Sequence, residues 1–417
     1  MTGEDLSELL ARRAPGEWEL YGKRGTSRET VSRAAGATRA HRDEEGWAAR
    51  WWEQGSLRFA AASSPTGLRT AIEEAANLTA GAQDSLDWPS GAFGAEAPEP
   101  TPLPEPPELF TELARQLAAE SRGEAGLQEL TIRVGRTAET IVNGRSLRAA
   151  LSGSRLDGVA TAVGRRGTRA CEARVAFRWD EAPDTAALAR RLADRTTLPL
   201  SEKPSPFERG ELLLDPSVSS ALLAALAGLF TAAVPRWVSR AQFASPAITI
   251  VDDATADTPC DGEGTKTRRV ELVREGVLRG SLCDLSSAHR RRTPPTGHGV
   301  RPSYRNAPAT RPRRLFFETA SAVPPRELLE QVRRGLYASA LVAPPRVELD
   351  ADRYEIEFCG IAVVAGRAQG PVAGARCRGR ISELLRRMTR LGSDRAFFPL
   401  PDLVGAPTIL VDRTSFE

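Results

Sequence analysis

Residues 245–283, SPAITIVDDATADTPCDGEGTKTRRVELVREGVLRGSLC, constrain the fold of this chain more than any other stretch. They open with a β-branched run, Ala247-Ile-Thr-Ile-Val251, which suits a short strand. Asp252 and Asp253 are expected to end it. Residues 257–264 hold Pro259, Asp261, Gly262 and Gly264, all of which favour a loop. Two further strand-like runs, 268–273 and 277–283, flank Arg274-Glu275-Gly276, and Gly276 can take the positive φ of a tight hairpin turn. The order is therefore strand, acidic Gly-rich loop, hairpin.

The rest of the chain divides around a Pro-rich break at 197–208. Before it, strand patterns at 18–21, 29–34, 38–43, 46–54 and 57–62 lead into a helix over 65–80, with Leu68, Ile72, Ala75 and Ala76 on one face. Residues 84–108 carry seven prolines. They read as an extended connector, or alternatively as a motif for a proline-binding module. Helices follow over 107–121 and 184–196, with alternating strand patterns between 131 and 179. The expected first domain, 1–200, is α/β and includes the connector. The expected second domain, 208–417, is β-rich α+β with an antiparallel sheet or barrel. It holds strands at 210–214, 313–318, 346–359, 361–368, 370–377 and 408–411, helices at 325–336 and 382–391, and a loop at 286–310. Asp215 and Pro216 fit the N-cap and first position of a helix running to about Ala233. That helix is apolar almost all round and should be buried.

Composition narrows the function classes. An apolar fraction of 41%, 27% charged residues and a net charge of +3 are ordinary for a soluble globular protein, and they point to neither nucleic acid nor membrane as partner. The most apolar run, 218–234, falls short of the ~20 residues of a membrane span. The N-terminus is acidic and helix-forming, unlike a signal peptide, so a cytoplasmic location is expected. Five cysteines (Cys171, Cys260, Cys283, Cys359, Cys377) show no CxxC spacing, which fits neither a disulfide framework nor a structural zinc site.

The three histidines, His41, His289 and His298, belong to no metal-ligand motif. His298 sits between glycines, on what should be a flexible loop. The acids Asp252, Asp253, Asp257, Asp261 and Glu263 could serve a hard cation, but their spacing does not match an EF-hand loop, and carboxylates capping loop amides fit better. Residues 290–314 hold eight arginines and no acid, broken by prolines. This is either a solvated loop or an anion-docking surface able to clamp carboxylates bidentately. Tyr304 is its lone aromatic, too little for base stacking. The candidate peptide- or partner-binding residues are Asp252, Asp253, Asp261, Arg290, Arg291, Arg292 and Arg305. No catalytic residue and no metal ligand is assigned.

The order of Glu211-Leu-Leu-Leu-Asp-Pro216, Ser245-Pro246, Asp261-Gly-Glu-Gly264, Thr267-Arg268-Arg269, Gly276-Val277-Leu278 and Gly335-Leu336-Tyr337 resembles the TldD/TldE (PmbA) family. In that family, TldD-like members carry HExxxH on the helix after the Leu-Asp-Pro strand, and a later cysteine completes a zinc site. Here the helix reads SVSSALLAALAGLFTAAV, without histidine, glutamate or cysteine. Cys359 and Cys377 lie near the region of the ligand cysteine and are assigned no metal. The resemblance implies a TldE/PmbA-like, non-catalytic subunit with no cofactor of its own. It implies a TldD-like partner that holds the zinc, the pair forming a metallopeptidase for small or unfolded peptides. Two rivals are a free-standing hydrolase built from the acidic loop, a cysteine or His289, and a self-assembling peptide-binding scaffold.

Overall fold

Alternating side chains build long antiparallel strands in the first half of the chain. The structure, a computed structural model, describes residues 3–77, 85–96, 104–179, 183–201, 203–231, 235–238, 242–319 and 321–417. Parts of the expected connector and the end of the helix expected over 65–80 lie outside them. In order come Gly3–Arg13 (α1), Trp18–Arg33 (β1), Gly36–Glu53 (β2), Ser56–Ala62 (β3), Pro65–Ala76 (α2), Gly91–Ala95 (β4), Pro106–Glu120 (α3), Ala125–Asn143 (β5), Leu147–Arg166 (β6), Arg169–Arg178 (β7) and Thr185–Thr197 (α4). The strands form one sheet in the order β3-β2-β1-β5-β6-β4, with β7 also on β6. Only β4 on β6 is parallel.

The sequence pattern splits β1, β2, β5 and β6 into shorter pieces, because their distal ends are polar on both faces. The strands nevertheless run through. β1 and β2 stay in register from Trp18↔Trp51 to Arg33↔Gly36, with exposed cross-strand pairs such as Arg24–Glu45 at 2.8 Å. Leu6 and Leu10 of α1 and Leu68 and Ile72 of α2 pack with Trp51 in one cluster. Leu113 and Leu117 of α3 pack with Leu188 and Leu192 of α4 in another.

The second half contains Arg209–Leu214 (β8), Pro216–Leu226 (α5), Gly228–Thr231 (α6), Thr249–Asp253 (β9), Arg269–Arg274 (β10), Val277–Leu278 (β11), Leu285–Arg291 (α7), Gly299–Val300 (β12), Ala309–Thr310 (β13) and Arg314–Glu318 (β14). Then follow Pro325–Gln331 (α8), Arg334–Leu341 (β15), Arg346–Glu348 (β16), Arg353–Val364 (β17), Arg367–Arg380 (β18), Ile381–Arg387 (α9), Met388–Leu391 (β19), Ala396–Leu400 (β20), Asp402–Ala406 (β21) and Ile409–Ser415 (β22). One sheet runs β11-β10-β9-β14-β21-β20. A second runs β16-β17-β15-β8-β22-β19, with β18 also on β17. The pairs β14–β21 and β15–β8 are parallel. Arg376 N–H donates to Glu417 O and Glu417 N–H to Arg376 O, both at 2.9 Å. These bonds tie β18 to the residues after β22, so the second sheet curls toward a barrel.

α5 starts as its sequence requires: the Asp215 carboxylate accepts the Ser217 N–H at 2.8 Å and Pro216 leads the first turn. Its Leu222, Leu223 and Leu226 join Ile250, Phe317, Leu336 and Phe358 from both sheets in the largest core cluster. Each such leucine contributes about 1.5–3 kcal/mol of burial free energy.

β9 ends at Asp253 as expected, with Asp253 capping the turn that follows. Tertiary pairing overrides local pattern in three places. The expected loop at 286–310 begins as α7, closed by a reciprocal Asp284–Ser287 capping box. The helix expected to Leu336 stops at Gln331, and Gly335 pairs with Glu211 of β8 so closely that a Cβ would lie 1.9 Å from the Glu211 carbonyl oxygen. The helix expected to Leu391 stops at Arg387, because Met388–Leu391 pairs with β22. The hairpin at Gly276 forms as expected, with φ of +77°. No helix among the described residues is long and apolar enough to cross a membrane.

Candidate functional site

Two charged residues occupy apolar positions of the first sheet. Glu19 on β1 and Arg50 on β2 are register neighbours and are 1% and 3% exposed. Arg50 Nη2 donates to Glu19 Oε2 at 2.9 Å, and Arg50 Nη1 donates to Glu263 Oε1 at 2.7 Å in the acidic loop. Arg301, also buried, donates to Glu19 Oε1 and, through Nε at 2.7 Å, to the Gly262 carbonyl. Glu263 Oε2 accepts the Leu285 N–H at 2.7 Å in the first turn of α7. Two carboxylates and two guanidiniums thus share one enclosed site, which fits the rule that a buried charge needs a partner and hydrogen bonds. Burial pushes the Glu19 carboxyl up, but Arg301 and Arg50 override it and hold it below the ordinary range. For Glu263 burial wins over Arg50, and with Asp261 and Asp284 nearby its carboxyl is pushed up to about 7.

A second polar cluster lies alongside. His298 Nε2 is 2.9 Å from Asp252 Oδ1, and Nδ1 is 3.0 Å from Thr296 O and 2.9 Å from Thr296 Oγ1. His298 is fully buried, which corrects the expectation of a flexible loop histidine. Asp252 also accepts the N–H groups of Arg313 at 3.0 Å and Arg314 at 3.4 Å. Asp261 accepts the N–H groups of Glu263, Thr265 and Gly299 at 2.9, 3.0 and 2.7 Å, while burial still raises its carboxyl. These contacts match carboxylates capping loop amides. Among the described residues, no group of three or more His, Cys, Asp or Glu is arranged to hold a metal ion.

The expected binding residues are not gathered onto one face. Asp252 and Asp261 are 0% exposed and present no surface. Asp253 is half-buried and accepts the Thr255 N–H at 3.2 Å. Arg290, Arg292 and Arg305 are exposed. Arg291 is half-buried and donates to Ser281 Oγ at 2.9 Å and the Thr231 carbonyl at 3.1 Å.

What the two clusters border is a polar cavity of about 480 Å³, which lies between β5 and β6 of the first sheet and loops of the second half. Glu139, Asp261, Arg301, Arg313 and Asp402 line it. The buried Nη1 of Arg301 has no hydrogen-bond partner among the described residues. The cavity therefore offers donors and acceptors fit for a peptide unit or a carboxylate. Its cysteine, Cys260, has a thiol pushed up to about 12 by burial and is protonated at neutral pH, as is Cys377 with the same upward push. Sequence reasoning missed Glu19, Arg50, Glu139 and Arg301 as site residues. The available signal was a charge inside an apolar strand, as in Trp18-Glu-Leu-Tyr21 and Ala48-Ala-Arg-Trp-Trp52.

The helix α5 adds no residue to this lining and contributes packing. Its Ser219 Oγ donates to the Pro407 carbonyl at 2.7 Å, and Leu222, Leu223 and Leu226 are at most 2% exposed.

Comparison with known proteins gives three kinds of likeness. The family profile described as PmbA/TldA metallopeptidase C-terminal domain matches residues 208–417. A "Metalloprotease" of Methanothermobacter thermautotrophicus is 24% identical over 243 residues, 55% of this chain and 52% of that protein. A "Metalloprotease TldD homolog" of Haemophilus influenzae is 26% identical over 190 residues, 41% of this chain and 39% of that protein. The matches thus span about half or less of those relatives' length. The crystal structure of TldE from Thermococcus kodakarensis superposes with a TM-score of 0.84 at 18% identity, covering 99% of each chain, a likeness of fold.

Proposed function

This chain belongs to the PmbA/TldD family of metallopeptidase-related proteins, and on that footing we propose that it is a TldE/PmbA-like subunit that assembles with a zinc-bearing TldD-like subunit and hands peptides to it. The observation that carries the reading is α5. Where the resemblance places HExxxH, this helix has serine, alanine and leucine, and its leucines are committed to the core. The chain then contributes binding and shape, and bond cleavage belongs to the partner.

The substrates proposed are small or unfolded peptides, with the cytoplasm as the site of action and neither nucleic acid nor membrane as a partner. The 480 Å³ cavity supports peptide handling, because its wall carries both guanidinium and carboxylate groups, Arg313, Glu139 and Asp402 among them, which can meet a carbonyl and an amide of one extended segment. A free-standing thiol hydrolase is disfavoured by the raised thiols of Cys260, Cys359 and Cys377.

Affinity capture of the chain from its native cell, with metal analysis, tests the proposal. The expected result is a complex with an HExxxH-bearing relative that contains zinc and cleaves peptides until a chelator is added, while the isolated chain does neither. Stoichiometric zinc and chelator-sensitive cleavage by the isolated chain would overturn it.

A further inference from the structure

A larger cleft, of about 780 Å³, opens at the end of the curled sheet, between the starts of β8 and β15, the ends of β18 and β22, and α9. Seven arginines line it against two glutamates. Both acids are engaged: Glu211 with Arg333 at 3.5 Å and Glu383 with Arg387 at 3.3 Å. Arg209, Arg380 and Arg413, all exposed, have no ion-pair partner among the described residues. They come from three different strands, and the pairing of β8 with β22 places Arg209 opposite Ser415, two residues from Arg413.

The backbone holds one of these charges in place at a cost. The β8–β22 ladder slips between Val411 and Thr414, and Arg413 within that bulge has φ of +53°. Bulges re-aim side chains, and a left-handed residue that is not glycine is strained. Converging unpaired guanidiniums in a concave site focus positive potential, and an ordinary solvated surface would disperse them.

We infer that this cleft binds a small multivalent oxyanion, carried either as the carboxylates of an acidic peptide or as a free polyphosphate. Guanidinium forks match the planar edges of both groups, and the volume suits a ligand of several such groups. The lining aromatic, Tyr354, is 8% exposed, with its hydroxyl 3.9 Å from Cys377 Sγ, so the cleft selects charge and not a stacked base. The inference does not depend on the proposed pairing with a metallopeptidase.

Titration calorimetry of the full chain in about 150 mM salt with triglutamate, tripolyphosphate and trialanine tests it. Saturable binding of either anion, with no binding of trialanine, is expected. The stronger of the two anions identifies the source. Arg209→Ala combined with Arg380→Ala should weaken that binding at least about tenfold, and Arg413→Gly, which relieves the strain while removing the charge, should also weaken it. Arg115→Ala with Arg326→Ala, two exposed arginines outside the cleft, should leave it unchanged. Absence of saturable binding by both anions, or equal binding by the cleft variants, overturns the inference.

Discussion

Arg50 Nη1 and Glu263 Oε1 stand 2.7 Å apart with both side chains buried, although 213 residues separate them in the chain. One lies on the second strand of the first sheet, the other in the Gly-rich acidic loop, so this pair fastens the two halves at a charged point. Removing one member of a buried network leaves the others uncompensated. Arg50→Met should therefore lower the unfolding free energy by about 3–5 kcal/mol, read from urea midpoints. Arg24→Ala, which breaks the exposed and solvent-screened pair with Glu45, should cost far less. Equal losses in the two variants would show that the buried network has no special weight.

Asp194 on α4 gives the fold a pH dependence. Burial pushes its carboxyl up to about 6, and Asp215 and Glu120 push the same way. The folded chain holds a proton that the unfolded chain has released from about pH 4 upward. The contribution is present below that pH and is lost as the pH rises through about 6. Asp194→Asn should raise stability by about 3 kcal/mol near pH 8 and by much less near pH 4. Thermal melts at several pH values would show it, and a gain independent of pH would assign the effect to another cause.

Leu223 of α5 is 1% exposed and lies within the largest core cluster. Leu223→Ala should cost about 2–5 kcal/mol through lost burial and the cavity it leaves, measured by denaturant unfolding. A loss under about 1 kcal/mol would mean that this helix is not the core element its packing indicates.

The exposed arginines in the last turn of α7 and the loop that follows bear on the proposed partner. Arg290→Glu with Arg305→Glu should weaken capture of a TldD-like subunit at least about tenfold, most clearly at low salt, without changing the melting temperature of the chain. Arg291 is unsuited to this experiment, since its bonds to Ser281 and Thr231 are internal. Undiminished capture would remove this face from the interface.

Local chemistry made much of the architecture legible. Gly276 announced its hairpin, Asp215-Pro216 the start of α5, and the unbroken apolar run the burial of that helix. Each of these depends on one residue's backbone freedom, one cap or one face, all of which the neighbouring sequence supplies. The continuity of β1, β2, β5 and β6 was not legible, because a strand polar on both faces carries no period-2 signal and is held by its neighbours across the sheet. Nor was the candidate site. Asp252 and Asp261 were visible as acids of a loop, but their full burial depends on amides of Arg313, Arg314 and Gly299 far along the chain. Glu19 and Arg50 became a site only when folding brought Glu263 and Arg301 to them. By itself the sequence determined many of the local elements, the β-rich character of the second half and the apolar character of α5. The tertiary structure decided which charges are buried and paired, since the cost of burying a charge is set by the partners that surround it.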